Sequence, residues 1–146
     1  MATVTVVCGP PGAGKTTYVR ERAVAGDLIV DVDTLFAALS GQPLYQKPPL
    51  LLPYVLAARD GALGRLERGP APAWVITQGV TAAERETLRA RFAAEVVVLE
   101  TPAITCLERI ALDERRAGQL DEWLPRVLRW WREYEPSEAD TVVKEG

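Results

Sequence analysis

Gly9-Pro10-Pro11-Gly12-Ala13-Gly14-Lys15-Thr16 sets three glycines ahead of a lysine and a hydroxyl residue, and fits G-x-x-x-x-G-K-[ST] at every fixed position. Gly9, Gly12 and Gly14 open backbone angles that side chains forbid, so that successive N–H groups, that of Ala13 among them, can curl around an anion. A helix beginning here adds the partial positive charge of its first turn. Lys15 is suited to reach the outer phosphates, Thr16 to ligate Mg²⁺, and Thr17 to add a contact to the inner phosphate. The ligand expected of such a loop is a nucleoside triphosphate, ATP or GTP, with Mg²⁺. A bare Gly-Pro turn with a stray lysine is the rival reading, and the flanking elements decide against it.

Asp31 and Asp33 close the next apolar run. The chain has no histidine, so a general base has to come from a carboxylate or a less common group. Asp33 can take the proton of an attacking hydroxyl, and either aspartate can hold Mg²⁺ through water. The plainer reading makes Asp33 the N-cap of a following helix, a position that aspartate favours. Both can hold for one residue.

Further along, Arg109, Arg115 and Arg116 fall in or just after one helical stretch. A guanidinium binds two phosphate oxygens at once and stays charged at any working pH. The alternative is a solvated helix face paired with Glu108, Asp113 and Glu114. Arg109 and Arg115 are the candidates for phosphate work, and Arg116 is expected at the surface. Arg85 either touches a substrate or pairs with an acid on the surface.

The elements that must position these residues read as an alternation. Thr3 to Cys8 is a short β-branched run, as expected of a strand buried on both faces. A helix is expected over 15–25, a strand over 28–32 and a helix over 34–39. Three prolines (43, 48 and 49) and then Pro53 make 42–53 a loop. A helix over 54–68 ends at the Gly69-Pro70-Ala71-Pro72 break. A strand follows over 73–77, a helix over 82–93, a strand over 95–99 and helices over 103–116 and 120–134, with a short edge strand at 141–143. Trp123, Val127, Trp130 and Tyr134 recur at helical spacing, the mark of a core face rather than a base-stacking platform. Trp131 stands off that stripe and is expected to be exposed. The strand-to-helix context at residues 8–15 is what the phosphate motif requires, and the alternation implies a parallel sheet between two helical layers.

The 146 residues, 48% apolar and 25% charged, suit one domain spanning 1–146. The formal charge of −3 argues against a dedicated duplex-DNA binder, which shows a basic face. Lysines stand only at 15, 47 and 144. Cys8 and Cys106 lie far apart inside apolar stretches and read as reduced core residues. Residues 1–12 lack a basic leader and a cleavage site, and no run is long enough to span a membrane, so a soluble cytoplasmic protein is expected.

Taken together, GPPGAGKTT, Val30-Asp31-Val32-Asp33-Thr34-Leu35 and Cys106-Leu107-Glu108-Arg109 with Arg115 resemble the small P-loop kinases related to polynucleotide kinase and zeta toxin. The resemblance covers most of the chain. It implies a three-layer α/β/α P-loop sandwich of the nucleotide-kinase type with a mostly parallel sheet. It also implies an ATP- and Mg²⁺-dependent transfer to a hydroxyl acceptor, either the end of a nucleic acid or a nucleoside-like molecule. By the same resemblance Asp33 is the general base, and Arg109 and Arg115 belong to a lid over the nucleotide. Two positions depart from the pattern. Polynucleotide kinases tend to carry an arginine three residues after the base, where this chain has Phe36. The third strand ends Ile76-Thr77-Gln78-Gly79 without an acid, which leaves Mg²⁺ to Thr16, the phosphates, and Asp31 or Asp33. A nucleotide-dependent ATPase or switch acting within an assembly is the alternative.

Overall fold

The computed structural model describes residues 3–69 and 71–144. Pro70 of the break after the third helix lies outside them. Five strands, β1 (Val4–Cys8), β2 (Leu28–Asp31), β3 (Ala73–Ile76), β4 (Glu95–Glu100) and β5 (Thr141–Lys144), form one sheet in the order β2-β3-β1-β4-β5. Every neighbouring pair is parallel, with Val6 opposite Val75 on one side and Val96 on the other.

Each strand feeds two cores. Val4, Val6, Cys8, Val30, Ala73, Val75, Val96 and Val98 point to one face of the sheet. Val7, Trp74, Ile76, Val97 and Leu99 point to the other. This period-two division explains the almost unbroken apolar runs, because a strand covered on both faces has no solvent side. The first face is covered by α3 (Leu52–Arg68) and α4 (Ala82–Phe92) through Leu63, Leu66 and Phe92. On the second lie α1 (Lys15–Arg22), α5 (Ala103–Leu112) and α6 (Leu120–Glu133), through Val19, Cys106, Ile110 and Val127. The result is the three-layer α/β/α sandwich expected. Among the described residues no helix is long and apolar enough to cross a membrane.

Several boundaries move, each for a local reason. The second helix, α2, covers Val32–Ser40 rather than 34–39, because its N-cap is Asp31. The expectation that Asp33 caps this helix is therefore corrected by two residues. α1 stops at Arg22, where Ala23 turns extended and the Asp27 carboxylate accepts from Val24 N–H. α5 ends at Leu112 rather than 116, since the Asp113 carboxylate accepts from Arg115 N–H and draws the chain into a turn. The proline-rich segment holds a 3₁₀ turn at Pro49–Leu51, and α3 starts at Leu52 with Pro53 in its first turn, where a missing N–H costs nothing.

Three side chains were placed differently by the sequence. Arg85 is fully buried rather than at a substrate or on the surface, and binds Asp140 and three backbone carbonyls. Arg116 is buried, not at the surface. Trp131 is half-buried between both cores and donates to Thr101 O at 3.1 Å. Trp123, Val127 and Trp130 do lie in the core, and Tyr134 packs beside them. Cys8 and Cys106 are buried and not joined by a disulfide.

Candidate active site

β1 ends at Cys8 in the middle of the sheet, and the chain turns through residues 9–14 into α1. Gly14 is the N-cap of α1 in the left-handed region, at φ 94°. Gly12, at φ 78°, runs so close to α5 that an added Cβ would lie 2.7 Å from Cys106 O. No side chain fits there, which is the physical reason for glycine at this position. From behind, Ala13 O accepts from Thr101 Oγ1 at 2.9 Å and from Arg109 Nη1 at 2.8 Å. The loop is therefore fixed by α5 and by the residue that follows β4 before any ligand arrives.

The Lys15 ammonium folds back over its own loop, 2.6 Å from Gly9 O and 3.4 Å from Pro10 O. Burial lowers its pKa to about 8, against the pull of nearby groups that include Asp33 and Asp31. Thr16 and Thr17, in the first turn of α1, are exposed. A cradle of positive-φ glycines, a helix start and an ammonium bonded only to carbonyls fits a triphosphate tail, because phosphate oxygens can replace those carbonyls as acceptors.

Asp31 and Asp33 are close in sequence but differ in what they touch. Asp31 Oδ1 accepts from Asp33 N–H at 3.3 Å, and its Oδ2 from Thr34 Oγ1 at 2.9 Å. Burial raises the Asp31 pKa, partly offset by these two bonds. Both of its oxygens are engaged in capping. Asp33 is half-buried in the first turn of α2 and meets Lys47 Nζ at 2.7 Å. Among the described residues its other oxygen has no partner of its own, which leaves it available to a hydroxyl or a hydrated cation. Among the described residues no group of three or more His, Cys, Asp or Glu gathers as a metal cage. The donors present, the Thr16 hydroxyl and Asp33, suit a Mg²⁺ that keeps most of its water and leans on phosphate.

A single cleft of about 1400 Å³ brings these parts together. Residues 11–17, Asp31, Asp33, Arg109, Arg115 and Arg116 all line it, so the sequence-predicted residues from Gly12 onward share one cavity, while Gly9 lies beneath the loop. Nine of the seventeen Lys and Arg residues line the cleft against six of the twenty Asp and Glu. The cavity is cationic in a chain of net charge −3, the sign a triphosphate needs. Arg109 lies over the loop, with its Nη1 3.0 Å from where a Gly14 Cβ would stand. Arg115 is about half exposed, and its guanidinium is held by Asp113 at 2.9 and 3.2 Å. Arg116 pairs with the same carboxylate at 3.1 Å.

Lys47, Tyr45, Thr101 and Arg116 are cleft or loop-supporting residues that sequence reasoning missed. For Lys47 a signal was present: it is one of three lysines in a chain whose cations are otherwise arginine. Thr101 gave none, because its partner lies on another element; Arg116 was read as a surface residue although Asp113, three residues earlier, pairs with it.

The model of a family described as AAA domain matches residues 4–133. No curated protein matches the sequence. Among solved structures, a gluconokinase from Sinorhizobium meliloti 1021 superposes with a TM-score of 0.61 at 22% identity, over 97% of this chain and 82% of that one. A shikimate kinase from Acinetobacter baumannii, in complex with shikimate, gives 0.55 at 23%, over 100% and 85%. A chain of the Pnkp1/Rnl/Hen1 RNA repair complex gives 0.63 at 12%, over 92% of this chain and 46% of that one. At such identities the likeness speaks for the fold.

Proposed function

Since the chain belongs to the AAA domain family, we propose that it is an ATP- and Mg²⁺-dependent phosphotransferase that moves the γ-phosphate to a hydroxyl acceptor, either a polynucleotide 5′-hydroxyl or a nucleoside- or nucleotide-like molecule. The observation that carries this reading is the shared cleft: a phosphate cradle and a half-exposed carboxylate with one oxygen available line the same cavity.

In this reading the amides of residues 12–17 and the Lys15 ammonium bind the triphosphate. Lys15 exchanges its contacts to Gly9 O and Pro10 O for phosphate oxygens. Asp33 accepts the proton of the acceptor hydroxyl, and Arg109 and Arg115 neutralise charge that builds on the transferred group. Arg115 leaves Asp113 to do so, at small cost because its pairing is exposed. Thr16 and Asp33 would hold Mg²⁺, which when bound screens the phosphate charge.

A γ-phosphate transfer assay against 5′-hydroxyl oligonucleotides, nucleosides and sugar-nucleotides tests the proposal. Asp33→Asn should lower kcat by about 10²-fold or more with the KM for ATP little changed. Unchanged turnover would remove Asp33 from the mechanism. The second reading, an ATPase or switch without a small acceptor, is favoured by Thr77 and Gln78, which directly follow β3 and bring no carboxylate to the cleft. Phosphate released without any labelled acceptor, and stimulated by a partner protein, would select it.

A further inference from the structure

The segment from Gly41 to Pro48 is braced across the cleft. Gln46 N–H donates to Pro43 O at 3.2 Å, and Tyr45 sits at φ 73°. Two of its side chains reach into the cavity in different directions. The Tyr45 ring lies under Arg116 at 4.2 Å and Arg115 at 5.3 Å, and meets Trp123 edge-on with centroids 5.6 Å apart. Lys47 places its ammonium 2.7 Å from Asp33 Oδ1. One short stretch of chain therefore touches both the arginines beside the donor and the carboxylate beside the acceptor.

We propose that Lys47 is a further catalytic residue, a cation that compensates Asp33 before transfer and the transferred phosphoryl group during it. This rests on Asp33 acting as the base. The acceptor oxygen, from water when no other acceptor is present, bonds to the γ-phosphorus. Its proton passes to the Asp33 carboxylate. The bond from the γ-phosphorus to the β–γ bridging oxygen breaks, and the electron pair leaves on the nucleoside diphosphate. Protonation removes the charge that held Lys47 and releases its side chain. A base works within about 3 Å of the oxygen it deprotonates, and the two oxygens of a carboxylate stand about 2 Å apart, so Lys47, on the first, lies within about 8 Å of that oxygen. Its flexible four-carbon stem spans the remainder. Tyr45 is a positioning residue: through its ring it ties the reach of Lys47 to the placement of Arg115 and Arg116.

Phosphate release from Mg²⁺-ATP with water as the acceptor tests this in the full chain, with thermal melts to confirm that each variant folds. Lys47→Ala should lower turnover about tenfold or more while the KM for ATP stays near its original value, and Lys47→Arg should restore part of the loss. Placed on Asp33→Asn, Lys47→Ala should add little, because the two groups act as a unit. Tyr45→Ala should cost less than Lys47→Ala, and Tyr45→Phe, which keeps the ring, less still. Turnover in Lys47→Ala that is unchanged or raised overturns the proposal; a rise would make Lys47 a block on the base. If Asp33→Asn is as active as the unaltered chain, the base reading fails and takes this with it. If Asp33→Asn is dead and Lys47→Ala is not, only the role of Lys47 fails.

Discussion

Two ion pairs of nearly equal length do opposite jobs in this molecule. Arg85 and Asp140 meet at 2.8 Å with both side chains fully buried, and Lys47 meets Asp33 at 2.7 Å with about a third of each exposed. Every remaining polar atom of the first pair is engaged. Arg85 also donates to Gly79 O, Val80 O and Glu135 O, and Arg89 takes the second oxygen of Asp140. Together they tie the start of α4 to the turn that launches β5. Among the described residues the second pair has one contact, and both of its members line the cleft. Distance alone does not say what an ion pair is for; the surroundings do. A pair sealed from water cannot open without leaving a naked charge, whereas a half-wet pair opens at little cost, as a group that must admit a substrate requires.

The largest effect should come from breaking the sealed pair. Arg85→Ala leaves Asp140 with Arg89 alone, strips one of its buried oxygens and three backbone carbonyls of their donor, and should destabilise the fold by about 3–5 kcal/mol in denaturant melts. A loss under about 1 kcal/mol would put it in the same class as Lys47–Asp33. Lys15 is the intermediate case, a part-buried cation bonded to carbonyls. Its pKa is lowered to about 8, so the ammonium is lost as pH rises through 8. Calorimetric ATP affinity should hold below that value and fall by up to about tenfold per unit above it. An affinity flat to pH 9.5 would mean that Lys15 does not grip the phosphates. The smallest effect concerns the aspartates of α2. Asp31→Ala removes the cap and should cost about 1 kcal/mol of stability, whereas Asp33→Ala should stay within about 0.5 kcal/mol. Equal losses would erase the division of labour between them.

The phosphate loop, the sheet and the five apolar runs were legible in the sequence because their signals are local: a glycine spacing, a β-branched run, an alternation. Even β5 was visible from three residues. What was not legible depends on partners far away. Arg85 finds Asp140 fifty-five residues later, and nothing near position 85 announces it. Arg116 and Trp131 read as surface residues until Tyr45 and Thr101 are brought against them. The cap of α2 was misplaced because both aspartates are good caps, and only the depth of the strand end chooses Asp31. Arg115 was seen, and Asp113, already one of its expected partners, is the carboxylate that occupies it in the resting state.

The burial of both thiols has a practical side. Cys106 is sealed in the core on the inner side of α5, and burial pushes the Cys8 thiol up to about 12, far from the thiolate that maleimides require. A cysteine introduced at exposed Gln46 would then react alone, and a dye attached there would report where the neighbouring residues stand as nucleotide is added, without first stripping the chain of its own sulfur.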